Sequence, residues 1–145
     1  MPDSSSQRAS RRPATILVVD DEETVLSLVR TMLWRAGFTV LEASGAEECL
    51  RVAAEHTGSI DLLISDILMP GKNGYELADE LTATRPETKV LFISGYRDKV
   101  LVESTGRATS NAPLLRKPFT QFALVSKIEE VFSDQPVDSS AYSSQ

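Results

Sequence analysis

Cysteine is almost absent from this chain. Cys49 is alone among 145 residues, which excludes an internal disulfide framework and fits a reducing compartment, where a lone thiol at an apolar helical position is a small core residue. Long apolar runs are missing too. None approaches the ~18 residues that span a bilayer, and no apolar signal segment follows Arg8, Arg11 and Arg12. A cytoplasmic protein without a membrane partner is expected. Positive charge is also short: 15 basic residues stand against 21 acidic ones, a net charge of -6. No chain-wide positive field exists to attract a phosphate backbone, so direct binding to nucleic acid is not expected.

What is present suffices for one core. Hydrophobic residues make up 41% of the chain, enough for a single domain but not two. Residues 1–13 are rich in Ser and Arg, and residues 134–145 are polar and without period. Both are predicted to be disordered tails around an ordered domain at 14–133.

Inside those limits, short apolar runs alternate with stretches of helical period. Thr15-Ile-Leu-Val-Val19 is β-branched and continuously apolar, as a strand covered on both faces reads. Val25, Leu28, Val29, Met32 and Leu33 then recur at i, i+3, i+4, i+7 and i+8, one helix face ended by Gly37. Trp34 on that helix is read as packing. Residues 38–42 form the second predicted strand, and Ala46, Cys49, Leu50, Ala53 and Ala54 mark the second helix. His56, near its end, is expected at the surface or in a capping role. Residues 60–64 form the third strand, closed by Ser65-Asp66, and a third helix is predicted over 75–84. Residues 89–93, ended by Ser94-Gly95, and 114–116, ended by Lys117-Pro118, supply the last two strands. A short fourth helix is expected around Val100, Leu101 and Val102. The fifth carries Val125, Ile128 and Phe132 on one stripe, flanked by Leu124 and Val131. Five strands interleaved with five helices predict an α/β fold with one doubly wound parallel sheet.

In such a sheet the ligand site lies beyond the carboxyl ends of the strands. Asp20 and Asp21 follow the first strand, Asp66 the third, Ser94 the fourth and Lys117 the fifth, so residues distant in sequence share one edge. Three crowded carboxylates resist ionising together unless a cation compensates, and hard oxygen ligands suit Mg2+. Asp20, Asp21 and Asp66 are therefore the candidate metal ligands. A carboxylate is also a nucleophile toward phosphorus when the charge on the transferred group is neutralised. Asp66 is the candidate phosphoacceptor, with the metal, the Lys117 ammonium and the Ser94 hydroxyl each meeting one phosphoryl oxygen. Gly95 allows close backbone approach to the phosphate, and the Lys117-Pro118 bond is expected to be cis. Taken singly these features are ordinary: Asp-Asp before a helix is a plain N-cap, and Lys117-Pro118 a turn. Their joint placement at strand ends carries the argument.

Val18-Val-Asp-Asp-Glu22, Leu62-Leu-Ile-Ser-Asp66-Ile-Leu-Met-Pro70, Gly74, Ile93-Ser-Gly95 and Lys117-Pro-Phe119 resemble the receiver domain of two-component response regulators. The resemblance implies a flavodoxin-like fold with strand order 2-1-3-4-5. It implies that the phosphodonor is a histidine kinase or a histidine-containing phosphotransfer protein, and that the main-chain carbonyl of Leu68 completes the protein ligands of the metal. It implies a switch involving Ser94 and position 114, where many members carry an aromatic residue and this chain has Leu114. Leu68 and Tyr96 fall where members of the family tune access of water to the phosphoryl group, so a bulky pair implies a longer-lived phosphate. The run Ile93-Ser-Gly-Tyr96 is similar to receivers attached to hybrid histidine kinases.

The expectation is a phosphorelay switch. Phosphorylation of Asp66 shifts a two-state equilibrium in the Ser94 loop and the face formed by the fourth helix, fifth strand and fifth helix, which meets a downstream protein or, on phosphorylation, a second copy. A turnover enzyme is the competing class, but aspartyl phosphohydrolases commonly carry a second acid two residues beyond the nucleophile, where this chain has Leu68. A third class, an adaptor with a vestigial site, is disfavoured because all five site residues are retained. No output domain is expected within the 145 residues, so the chain acts through another molecule or is one piece of a longer protein.

Overall fold

The computed structural model describes residues 13–95 and 113–133. Residues 1–12 of the tail expected at 1–13, the tail expected at 134–145, the helix expected around 100–102 and Tyr96 lie outside the described residues. Five strands, β1 (Thr15–Val19), β2 (Thr39–Ala43), β3 (Leu62–Asp66), β4 (Lys89–Ser94) and β5 (Leu114–Arg116), form one sheet in the order β2-β1-β3-β4-β5. Every pairing is parallel. Among the described residues four helices alternate with them: α1 (Glu23–Arg35), α2 (Ala46–Glu55), α3 (Gly74–Thr84) and α4 (Gln121–Ser133), the one expected fifth.

The continuous apolar run of β1 follows from its central place, because successive side chains enter two different cores. Leu17 and Val19 join Leu63, Phe92, Cys49 and Leu77 beneath α2 and α3. Ile16 and Val18 join Leu62, Ile64, Leu91 and Ile93 beneath α1 and α4. Burial of one such aliphatic side chain contributes about 1.5–3 kcal/mol, so β1 and β3 anchor the fold.

Helix faces differ from the expected ones by a rotation. On α1 the buried residues are Leu26, Val29 and Leu33, while Leu28 is 51% exposed and Trp34 73% exposed. At ~100° per residue, Leu26 and Leu33 lie on the same flank of Val29, so the sheet covers an arc centred there. Val25 and Met32 fall at its edge, Leu28 falls outside it, and Trp34 does not pack. The stripe of α4 is likewise Leu124, Ile128 and Val131, with Val125 and Phe132 only half-buried.

Strand ends differ in a way that bears on the site. β3 begins at Leu62 and runs through Asp66, and β4 runs through Ser94, because Asp66 pairs with Ile93 and Ser94 with Arg116. Hydropathy stops at the last apolar residue, whereas the ladder continues into the polar one. β2 begins one residue later than expected and α3 one residue earlier, at Gly74. Asn73 caps α3: its side chain accepts the Glu76 N–H at 2.9 Å, while Glu76 Oε1 accepts the Asn73 N–H at 2.8 Å. Arg85 closes the far end of α2, its guanidinium donating to the carbonyls of Ala53, His56 and Gly58 at 2.9, 2.8 and 2.9 Å. Cys49 is fully buried, as expected. No helix among the described residues is long and apolar enough to cross a membrane.

Candidate functional site

Because the strands are parallel, their carboxyl ends share one edge. Asp20 follows β1, Asp66 and Ser94 end β3 and β4, and Lys117 follows β5 one residue on. Carboxylate oxygens of Asp20, Asp21 and Asp66 come within 4.8 Å of one another. Asp20 and Asp66 are buried, at 2% and 3% exposure, and Asp21 is exposed. Lys117 reaches into this group: its Nζ lies 3.5 Å from Asp20 Oδ2 and 3.7 Å from Asp66 Oδ1. The Lys117-Pro118 peptide is cis. The Lys117 N–H donates to the Ser94 carbonyl at 2.9 Å, tying the end of β5 to that of β4. The chain thus gathers Asp20, Asp21 and Asp66 at one edge, with Lys117 paired to Asp20 and Asp66 and with Ser94 and Gly95 on the adjoining strand end.

Burial raises the Asp20 carboxyl above its ordinary range, and this outweighs the lowering by the Glu22 N–H and by Lys117. Burial alone would lower the Lys117 ammonium, but Asp66, Asp20 and Glu22 together overcome it and the net shift is upward. Asp20 Oδ1 accepts the Glu22 N–H at 2.8 Å, whereas Asp20 Oδ2 is buried and receives no hydrogen bond. A buried, unsatisfied carboxylate oxygen beside two further carboxylates is the arrangement a hard divalent cation completes. These residues therefore fit a metal.

Three contributors are not readable as such from the sequence. Glu22 sits at the N-cap of α1, makes no capping bond there, and places Oε1 3.1 Å from Lys117 Nζ. The sequence signal was available: glutamate is a poor N-cap where Asp, Asn or Ser is preferred. Gly74 passes so close to β3 that a Cβ would stand 2.3 Å from the Asp66 carbonyl oxygen. Ser65 Oγ donates to that same carbonyl at 2.8 Å. Ser94 Oγ donates to the Gly95 carbonyl at 3.2 Å. Leu114 is half-buried against the core that holds Tyr75 and Phe92, whose rings meet edge-on at 4.8 Å. Leu68 lies in the connection between β3 and α3.

Fold and site together define a doubly wound α/β protein with an acidic, metal-competent edge beside one lysine. The chain belongs to the response regulator receiver domain family, which it matches over residues 16–129. It is 35% identical over 123 residues to the sensor kinase CckA of Brucella abortus (strain 2308), a match covering 84% of this chain and 13% of that one. A response regulator receiver domain protein from Clostridium thermocellum is similar in structure, with a TM-score of 0.71 and 34% identity over 81% of this chain and 93% of that one. The receiver domain of the hybrid histidine kinase CckA gives a TM-score of 0.66 and 32% identity, covering 81% and 97%. The chain spans 48% of the length of the probable transcriptional regulator ycf27 of Cyanidium caldarium and of the transcriptional regulatory protein CpxR of Klebsiella pneumoniae, and 24% of the regulator NtrC of Azospirillum brasilense. Receiver domains of this family work in two-component systems, with histidine kinases and downstream effectors.

Proposed function

We propose that residues 14–133 form a phospho-accepting receiver that takes a phosphoryl group on Asp66 from a histidine kinase or a histidine-containing phosphotransfer protein. The observation that carries this reading is the buried Asp66 carboxylate at the end of β3, gathered with Asp20 and Asp21 and 3.7 Å from Lys117. An Asp66 carboxylate oxygen forms the bond to phosphorus while the bond to the donor breaks, and the electron pair leaves with the donor. An ionised Asp66 needs no general base. Mg2+ held by Asp20, Asp21, Asp66 and the main-chain carbonyl of Leu68 would supply positive charge to the transferring group. Lys117 turns toward one phosphoryl oxygen, and the Ser94 hydroxyl leaves the Gly95 carbonyl to donate to another, while Gly95 lets the main chain close in.

The switch follows from that rearrangement. Ser94 and Leu114 occupy neighbouring strands, with Leu114 in place of an aromatic, and their shift alters the face around β5 and α4, where a downstream protein or a second copy docks. Leu68 and Tyr96 limit the access of water and lengthen the life of the phosphate. Leu68 also stands where a phosphohydrolase would carry its second acid, which supports a switch over a turnover enzyme. Likeness to the receiver of a hybrid histidine kinase supports a place in a cytoplasmic phosphorelay.

The test is the intact mass of the protein and of Asp66→Asn after incubation with Mg2+ and acetyl phosphate. One phosphoryl group gained by the native chain alone supports the reading. No gain by a folded, Mg2+-binding native chain favours an adaptor with a vestigial site or a strictly donor-dependent site.

A further inference from the structure

Resting on the reading of Asp66 as phosphoacceptor, we propose that Glu22 is a positioning residue that restrains Lys117 in the resting site and so sets the rate of phosphoryl transfer. Two independent observations support it. Of the three carboxylates that pair with Lys117 Nζ, Glu22 is the nearest, at 3.1 Å against 3.5 Å for Asp20 and 3.7 Å for Asp66. Only Glu22 lies within ordinary hydrogen-bonding distance. Secondly, Glu22 occupies the N-cap of α1 with extended backbone, yet its side chain makes no bond to the helix. A residue that breaks the local preference for a short capping side chain, and instead reaches a lysine 95 positions away, is placed for the site and not for the helix.

The consequence is a competition for one ammonium group. To stabilise the transferring phosphoryl group, Lys117 must leave Glu22, and whatever free energy holds that pair is added to the barrier. Glu22 is half exposed, with 51% of its side chain accessible, so the restraint is modest. For acetyl phosphate the step balances without a proton: the Asp66 oxygen–phosphorus bond forms, the bond to the acetyl oxygen breaks, and acetate leaves with the electron pair. Glu22 takes no part in bond making. It governs where the lysine is when the donor arrives.

The test compares the native protein with Glu22→Gln and Glu23→Gln. Glu23 is the adjacent acid, in the first turn of α1, and its substitution removes the same formal charge without touching the lysine. Phosphorylation by acetyl phosphate with Mg2+, followed by intact mass, is expected to be roughly two- to fivefold faster in Glu22→Gln, the factor set by a largely solvated ion pair. Glu23→Gln should match the native rate. In metal-free protein, lysine-selective NMR should show the Lys117 side-chain resonance shifted in Glu22→Gln and unchanged in Glu23→Gln. Equal acceleration in both variants would overturn the proposal in favour of plain charge repulsion of the donor. A native rate and native lysine resonance in Glu22→Gln would overturn it outright. A native chain that gains no phosphoryl group at all refutes instead the assignment of Asp66, which the metal-free lysine resonance does not depend on.

Discussion

Gly74→Ala sets two quantities of opposite sign against each other. Gly74 is the first residue of α3, where alanine would ordinarily gain up to about 1 kcal/mol by restricting the unfolded chain and favouring the helix. Against this, the new Cβ would stand 2.3 Å from the Asp66 carbonyl oxygen, 3.0 Å from Ile67 Cα and 3.1 Å from Ser65 Oγ. Ordinary contact begins at 3.4 Å, so 1.1 Å (3.4 minus 2.3) must be found between two stretches of backbone. Neither yields easily. The Gly74 N–H is bonded to the Ile67 carbonyl at 2.8 Å, α3 is held by its capping box, and β3 is paired on both sides. Overpacking of this kind costs about 1–3 kcal/mol or more, which gives a net loss of roughly 2 kcal/mol. With a urea dependence of about 1–3 kcal/mol per molar, the midpoint should fall by about 1 M. Gly45→Ala is the control for contact, since its Cβ meets nothing within 4 Å and its backbone is extended; it loses only glycine's advantage over alanine at the N-cap of α2, so its midpoint should fall by less than that of Gly74→Ala. Because the clash falls on the main-chain carbonyl of Asp66, the proposed phosphoacceptor, the rate of its phosphorylation should fall in Gly74→Ala as well. A midpoint equal to or above the native one would refute the argument, since propensity would then have outweighed contact.

The remaining predictions concern charge and capping. Burial holds the Asp20 carboxyl above its ordinary value of 3.8, so the native state keeps a proton that the unfolded chain has released. Metal-free stability therefore falls as pH rises from 3.8 to the raised native value and stays reduced above it. Asp20→Asn should accordingly melt higher than the native protein at pH 7 without metal, and Mg2+ should raise the Tm of the native chain but not of the variant; a lower metal-free Tm in the variant would contradict this. Burial pushes the Cys49 thiol up to about 12, so alkylation at pH 8 should be far slower in the native protein than in urea, and rapid stoichiometric labelling of the native state would argue against it. Arg85→Ala removes donors from three carbonyls at the end of α2 and should cost about 1–3 kcal/mol in urea unfolding. Arg85→Lys, which lacks the planar fork, should recover less than half of that.

The sequence disclosed the architecture because both faces of the sheet are covered. That burial makes Thr15–Val19 and Leu62–Ile64 read as apolar runs, and the parallel sheet then assigns Asp20, Asp66 and Lys117 to one edge without any contact being known. What stayed hidden depends on angles and distances that periodicity does not carry. Leu26 and Leu28 are equally apolar, and only the docking of α1 on the sheet decides that the first is buried and the second half exposed. Gly74 was legible as part of a motif, but its reason, the approach to the Asp66 carbonyl, is a separation between two backbones. Glu22 belonged to the same motif as Asp20 and Asp21. Its partner lies 95 residues away and could not be assigned without the fold.

The charge at this edge explains why a change at Asp66 would not stay local. Asp20, Asp21, Glu22 and Asp66 gather around one ammonium, Lys117, which three of them share as an ion-pair partner. On the proposed reading, phosphorylation replaces the single negative charge of the Asp66 carboxylate with about -1.5 to -2 on the phosphoryl oxygens. That added charge sits farther out from the strand end than the carboxylate did, and the lysine follows it at the expense of Glu22 and Asp20. The backbone that carries the lysine is tied to the same place, because its main-chain N–H is bonded to the Ser94 carbonyl and the strand before it pairs with β4 through Ser94 and Arg116. Ser94 is also the residue whose hydroxyl must leave the Gly95 carbonyl. Two demands of the same new charge, on Lys117 and on Ser94, therefore fall on one junction between β4 and β5.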